Sequence, residues 1–411
     1  MTINATSRRC EVKDNRDAVI VAMGRSPVTD FGGALAGLRA HALAAQVIIA
    51  VLDQAGIDPA LIEDVVLGDC IQAADESNTA RTAMLKAGIP VEVPAVTVQR
   101  QCSSAMQTLA QSAAYIRLGD ADVMLAGGVE SMSNAMYCLP QARWGARLRH
   151  GQMMDIMWEM LHSGSTLLEP PGYIMGQTAE NLARKYNISR QAQDEVALRS
   201  HNNAEAAIKA GKFAEEIVPI KVPQRKGEPK IVDTDEHVRM GLTMADLSKL
   251  PPAFAKDGTV TAGNSSGLND GAAICLLMSR AKAKELGQKP LGKIVGWAAA
   301  GCPPEIMGWG PVPATQKLLK KTGAALKDIE LIEVNEAFAA QYLACEQGLG
   351  LNREIVNVNG SGIGLGHPVG CTGARIVISL LKEMKRRGSS LGLATLCVGG
   401  GMGMAMLVEN E

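Results

Sequence analysis

Two stretches of this chain repeat each other in register, and that constrains the fold more than any other feature. VLDQAGIDPALIEDVVLGD (51–69) has its counterpart in KLLKKTGAALKDIELIEVNE (317–336). Thirteen residues separate Gly56 from Asp69, and thirteen separate Gly323 from Glu336. CSSAMQTLAQSAAYIRLGDADVMLAGG (102–128) is matched in plan by CTGARIVISLLKEMKRRGSSLGLATLCVGGG (371–401). Cys102 follows Gly56 by 46 residues and Cys371 follows Gly323 by 48. Any two βαβ units look alike, but two matched blocks at a nearly matched offset point to two halves of one topology.

The repeated unit is α/β. AVIVAM (18–23) reads as a buried strand, LRAHALAAQVIIAVLDQAG (38–56) as a helix ended by Gly56, and IEDVVLGDC (62–70) as a second strand. PAVTVQRQ (94–101) is again strand-like, the helix after Cys102 stops at Gly119, and DVMLAGG (122–128) gives a further strand. Strands separated by helices pair in parallel. Between the halves, residues 132–267 have another texture, with charged helices such as QTAENLARKYN and SRQAQDEVALRSHNNAEAAIKAG and the polar stretch KVPQRKGEPKIVDTDEHVR. They read as an insertion hung from strand ends, where an α/β protein holds its ligand.

Composition excludes several classes. With 41 basic against 42 acidic residues in 411 there is no field to attract nucleic acid or an anionic membrane. Aromatic residues, at 3%, offer few stacking platforms for bases. The longest apolar run, ALAAQVIIAVL (42–52), is shorter than the roughly 20 residues of a membrane span. The start mixes Arg8 and Arg9 with Glu11, Asp14 and Asp17 and leads into no apolar run, so no export signal is expected. Nine cysteines, scattered and without a C-x-x-C pair, predict neither a disulfide framework nor a closed zinc site. A cytoplasmic protein in a reducing compartment fits these features.

Five residues draw attention on chemical grounds. Cys102 falls where a strand turns into a helix, and unpaired amides with the positive end of the helix dipole lower a thiol pKa there. A free cysteine is otherwise a small buried hydrophobe. His367 sits in NVNGSGIGLGHPVGCTGAR (357–375), a loop too rich in glycine for strand or helix, with Pro368 and Cys371–Arg375 opening the next helix. The glycines do not satisfy G-x-G-x-x-G, which argues against a dinucleotide cradle. His367 and Cys371, four apart across Pro368 and Gly370, make a poor metal pair. Cys397 ends a strand before three glycines, a turn suited to aiming N–H groups at a substrate oxygen. Asn335 and Glu336 end the strand that the repeat pairs with Gly68–Asp69. MMDIMWEMLH (153–162) carries Met153, Met157, Met160 and Leu161 at helical spacing, as a core face does; a flexible methionine lining for a ligand's apolar chain is the sharper alternative.

Several motifs, in order along nearly the whole chain, carry a resemblance: DFGGAL (30–35), ARTAMLKAGIP (80–90), QCSSAMQ (101–107), AGGVESMS (126–133), MGQTAEN (175–181), DGTVTAGNSSGLNDGAA (257–273), NEAFAA (335–340), GHPVGCTGAR (366–375) and CVGGGMGMA (397–405). In these the chain resembles the thiolases, the acyl-CoA C-acyltransferase family. The resemblance implies a layered αβαβα core made of two βαβαβαββ halves with an inserted loop domain. The halves would be 1–131 plus 268–289 and 290–411, and the coenzyme A-binding insertion 132–267. It implies that Cys102 is the acylated nucleophile, His367 its base, and Cys397 the acid/base for the α-proton of acetyl-CoA and the leaving thiol. Asn335 would hold a water that forms one oxyanion hole with His367, and the N–H groups of Cys102 and Gly399 would form the other. Met175, Phe254, Ser266, Leu268 and Phe338 match positions that grip the pantetheine arm.

The implied activity is an acyltransferase reaction that interconverts a 3-ketoacyl-CoA plus CoA with acetyl-CoA plus a shortened acyl-CoA, with no prosthetic group or metal, in a homodimer or homotetramer. A thiolate attacks a thioester readily, and the acyl-enzyme divides one carbon–carbon exchange into two manageable steps. A decarboxylating ketoacyl synthase on the same fold would pair its cysteine with further histidines and take a carrier protein. A non-catalytic acyl-CoA or lipid binder would have lost Cys102, His367 or Cys397. The chain departs from the family pattern at Ser104 and Ala105, where a glycine is common after the nucleophile, and at GSGIGLGHP, where GGAIALGHP is frequent.

Overall fold

The computed structural model describes residues 14–148, 150–162 and 172–411. The amino-terminal stretch read above for an export signal lies largely outside them. The first half runs β1 (Ala18–Arg25), the short β2 (Thr29–Asp30), α1 (Ala40–Ala55), β3 (Asp64–Gly68), α2 (Thr79–Lys86), β4 (Ala95–Val98), α3 (Ser104–Leu118) and β5 (Val123–Ser131). After the intervening segment, which contains α4 (Met175–Lys185) and α5 (Arg190–Lys209), β6 (Asn269–Ser279) closes it. The second half runs β7 (Gly292–Gly301), α6 (Pro311–Thr322), β8 (Leu331–Val334), α7 (Ala339–Leu349), α8 (Val369–Arg387), β9 (Leu391–Val398) and β10 (Met402–Asn410).

The sheet order is β8-β9-β10-β7-β1-β6-β5-β3-β4, with β2 pairing to β6. From the centre outward each half repeats the same sequence of strands: β1, β6, β5, β3, β4 on one side and β7, β10, β9, β8 on the other. Outside two antiparallel strands lie three mutually parallel ones in the first half and two in the second. Within the sheet the halves join where Val19 and Ile20 of β1 meet Lys293 and Gly292 of β7. A counterpart of β4 is reduced to a single bridge between Ile332 and Val356. The side chain of Asn357 takes over the ladder, accepting from Val334 N–H at 2.8 Å and donating to Val334 O at 2.9 Å.

Alternation along the strands assigns the layers. In β6, Ala273, Cys275 and Leu277 face one core while Ala272, Ile274, Leu276 and Met278 face another. The first core lies between the two half-sheets and contains α3 and α8; the outer cores hold α1 and α2 on one side and α6 and α7 on the other. This is the five-layer αβαβα arrangement, and it explains why every β6 residue is buried and apolar patterning alone does not reveal its faces. The helix ends also follow the repeat. Gly56 and Gly323 close α1 and α6 with φ of 61° and 70°, and Gly119 and Gly388 close α3 and α8 with φ of 85° and 68°.

The middle segment is tied to β1 by a buried charge cluster. The Arg25 guanidinium, 1% exposed, donates to Glu216 at 2.7 Å and to both Asp235 carboxylate oxygens at 2.7 and 2.8 Å.

Candidate active site

Cys102 stands immediately before α3 and His367 immediately before α8, so the site is set by how these two central helices approach. Glycines permit the approach. A β-carbon on Gly373 would lie 2.4 Å from the Met106 amide nitrogen, and one on Gly128 would lie 2.1 Å from the Gly370 carbonyl oxygen. With no side chains between them, the two helix N-termini meet at the middle of the molecule.

The turn that presents Cys102 is strained and braced. Gln101, just before it, has φ of 44°, rare for a side chain of that size. Ser104 Oγ donates to Gln101 O at 2.7 Å and accepts from Arg100 N–H at 2.9 Å, while Cys70 Sγ donates to the same carbonyl at 3.0 Å. Ser104 is thus part of the brace.

Cys102 is 2% exposed. Burial pushes its thiol up to about 11, although the N–H groups of Gly399 and of Cys102 itself point at the sulfur and oppose the shift. This corrects the expectation from position alone. The helix terminus and amides are present, but desolvation of a buried thiolate outweighs them. The two N–H groups expected to form an oxyanion hole, those of Cys102 and Gly399, thus share the Cys102 sulfur as their target.

His367 is also buried, and burial followed by the nearby Arg375 charge lowers its imidazole to about 3. Thr372 Oγ1 donates to Pro368 O at 2.9 Å, which leaves it an acceptor for His367 Nδ1–H at 2.7 Å. That assignment leaves Nε2 bare, and Nε2 has no protein hydrogen-bond partner. The His367 main-chain N–H donates to Asn269 Oδ1 at 2.8 Å, and the Asn269 amide in turn holds Thr29 O at 3.1 Å. The loop before His367 is not wholly irregular, because Gly362–Leu365 forms one helical turn. Neither Gly362 nor Gly364 has room for a side chain: a β-carbon would lie 2.7 Å from Asn335 Oδ1 at the first and 2.6 Å from Ser200 O at the second. The departure from GGAIALGHP therefore lets α5 and Asn335 close in on this turn.

Asn335 is fully buried, and neither its Nδ2 nor its Oδ1 has a protein partner. Cys397 is fully buried at the end of β9, with its thiol pushed well up, first by burial and next by Cys102. Gly399 follows in the turn to β10.

Cys102 and His367 line one cavity of about 520 Å³. Met175, Phe254, Ser266, Leu268 and Phe338 all line it too. Phe254 and Phe338 meet edge to face at 6.0 Å, and Ser266 N–H bonds Ala337 O at 2.9 Å, pinning the loop before β6 to the loop after β8. Asn335, Cys397 and Gly399 lie behind this lining rather than on it. The sequence reading missed His237 and Arg239, at the cavity's polar side, and Met132 and Met307 on its apolar side. Met157, Met160 and Leu161 serve both readings offered for them, since they pack on the central core and line the cavity, whereas Met153 is exposed. No group of three potential metal ligands occurs among the described residues, and none of their helices is long and apolar enough to cross a membrane.

A duplicated five-layer fold with a cysteine and a neutral histidine facing one apolar cavity defines a class, that of enzymes that carry acyl groups on a thiol. The chain belongs to the thiolase family and is an acyltransferase of that family: residues 18–281 match the thiolase N-terminal domain and 288–410 the thiolase C-terminal domain. It is 48% identical to an acetyl-CoA acetyltransferase of Cupriavidus necator, covering 96% of this chain and 100% of that one. It is 50% identical to one from Pseudomonas aeruginosa, with the same coverage. Among solved structures it resembles the acetyl-CoA acetyltransferase of Bacillus anthracis (TM-score 0.93, 52% identity, 96% of this chain and 99% of that one). It also resembles human mitochondrial 3-ketoacyl-CoA thiolase in complex with CoA (TM-score 0.91, 41% identity, 97% and 98%). These relatives favour the thiolase reading over a decarboxylating synthase or a non-catalytic binder.

Proposed function

We propose that the protein interconverts 3-ketoacyl-CoA plus CoA with acetyl-CoA plus a shortened acyl-CoA, through an acyl group carried on Cys102. The observation that supports this most is that Cys102 and His367 face one cavity while Cys397 lies close enough to Cys102 to feel its charge.

At rest the nucleophile is a thiol and the base a neutral imidazole, so the Cys102 proton passes to bare Nε2 of His367 as the sulfur attacks the thioester carbonyl. The carbonyl oxygen gathers charge beside the Cys102 and Gly399 N–H groups. CoA leaves as CoA–SH with the proton of Cys397, which becomes the thiolate that serves as base in the next half-reaction, while His367 keeps the Cys102 proton until that sulfur leaves. In the second half-reaction Cys397 removes an α-proton from acetyl-CoA, and the enolate oxygen is met by His367 and by a water on the orphaned amide of Asn335. The enolate carbon attacks the acyl-cysteine, the C–S bond breaks, and Cys102 leaves as the thiol again. Thiolysis is the same sequence reversed.

Coenzyme A thioesters enter as substrates, with no prosthetic group required. Their pantetheine arm lies along Met175, Phe254, Ser266, Leu268 and Phe338. The segment 132–267 acts as the loop domain that holds coenzyme A, between the halves 1–131 plus 268–289 and 290–411. The protein works in the cytoplasm as a homo-oligomer, a dimer or tetramer. Exposed Tyr137, Leu139, Trp144 and Leu148 and the half-exposed edge strand β4 supply apolar surface for copies to cover. Incubation with acetoacetyl-CoA and CoA, followed by mass analysis of the trapped acyl-enzyme, tests the reading; acetyl on Cys102 is expected, and absence of both thiolysis and adduct would reject it.

A further inference from the structure

Glu130 has no part in the chemistry above, yet it is wholly buried beside it. It comes from the end of β5, in the first half of the molecule. Its Oε2 accepts N–H groups from Cys70 at 3.1 Å and from Gly370 at 2.8 Å, and its Oε1 accepts from Ile71 at 3.1 Å. These three donors belong to the two structures on which the site depends. Cys70 is the residue whose sulfur braces the Gln101 carbonyl, one residue before Cys102. Gly370 is the second residue of α8, the helix that begins just after His367.

Helix α8 needs such a partner. Its first turn leaves N–H groups without intrahelical acceptors, and its N-cap, Pro368, makes no side-chain capping bond. No acidic residue of its own lies in its first turn. A carboxyl group from the opposite half fills the place where a capping side chain normally sits, at the positive end of the helix. We propose that Glu130 is the cap of α8 supplied from the other half, and that it is a positioning residue which fixes the His367 helix against the Cys102 turn.

Glu130 faces Asp69 at the end of β3, Cys70, Cys102 at the threshold of α3 and Cys371 in α8. Burial pushes both carboxyls up, Asp69 to about 6, and the Asp69 charge pushes Glu130 further. Glutamine keeps the length of the Glu130 side chain and an oxygen that accepts hydrogen bonds.

The inference rests on the thiolase reading of Cys102 and His367. That reading fails if the unaltered protein neither thiolyses acetoacetyl-CoA nor forms an acyl-enzyme; the present one is decided by variants of an active protein. In Glu130→Ala the expected result is a kcat about 100-fold lower, the size of loss that follows from a misplaced reacting group, with KM for acetoacetyl-CoA and CoA within about twofold. Glu130→Gln, whose oxygen still accepts from Gly370 and Cys70, recovers most of that loss. A folded Glu130→Ala with normal kcat overturns the proposal, as does a Glu130→Gln as slow as the alanine variant. If Glu130→Ala does not fold, Glu130→Asp serves, because its carboxylate stops one methylene short of Gly370. Lowered kcat at constant KM supports the proposal there, and unchanged kcat overturns it.

Discussion

Gly373 of α8 lies so close to Met106 of α3 that a β-carbon on it would come within 2.4 Å of the Met106 amide nitrogen. The contact is backbone against side-chain position, so it cannot be relieved by a rotamer change. Gly373→Val therefore parts the two helices. We expect a loss of about 2 kcal/mol or more from overpacking, measured by urea unfolding, and a fall in turnover larger than the loss of folded protein explains. A variant with normal turnover and normal unfolding would show that the close approach is dispensable.

The roles proposed for Cys102 and Cys397 are separable by experiment. Cys102→Ser is expected to abolish the acyl-enzyme, read by mass spectrometry after incubation with acetyl-CoA. Cys397→Ala keeps acylation of Cys102 but loses exchange of the acetyl-CoA methyl protons with deuterated water. Retained exchange would remove Cys397 from its role.

Asn335 has an amide with no protein partner although it is fully buried. Such a group is costly unless it serves a ligand. Asn335→Ala should cut kcat by about 100-fold, as loss of one oxyanion donor does, while leaving acylation of Cys102 by acetyl-CoA intact in a single-turnover assay. Equal loss of acylation would place Asn335 in the first step instead.

The pH behaviour follows from the two displaced groups. Alkylation of Cys102 by iodoacetamide should keep rising with pH until about 11, where the buried thiol titrates. His367 is neutral in the folded protein down to about 3 but takes up a proton near 6.5 when unfolded. Between those values the unfolded chain holds the extra proton, so this residue lowers stability as pH falls through that window. His367→Asn should flatten that part of the stability profile, measured by denaturant midpoint at successive pH values.

Much of this was legible in the sequence, for physical reasons that particular residues illustrate. Gly56, Gly323 and Gly119 announce helix ends because only glycine takes the left-handed conformation freely, and their spacing carried the duplication. The five residues that the resemblance assigns to a pantetheine arm all line the cavity. Glu130 and Asn269 were not, although both stand in quoted motifs, because each acts on main-chain N–H groups more than ninety residues away. The direction of the Cys102 shift was misjudged because the helix terminus is local in sequence while the burial that opposes it is assembled from distant segments.

Arg25 with Glu216 and Asp235 marks the limit of what charge patterning reveals, since three scattered ionisable residues become one buried cluster. Removing one member strands the others. Asp235→Ala should destabilise the protein by about 3–5 kcal/mol, whereas replacing Arg25 and both acids together with apolar residues of similar size should cost far less. Equal losses in the two proteins would argue against a stranded charge.

The seam between the halves is narrow in the sheet, Val19 and Ile20 against Lys293 and Gly292, yet the groups proposed to react straddle it. Cys102 is inherited from one side, His367 and Cys397 from the other, so neither side owns a complete set. Cutting the connection between Ser279 and Gly292 would yield two inert fragments whose activity returns only on reunion. Duplication here made a reactor out of two parts that are each, on their own, half of an incomplete sentence.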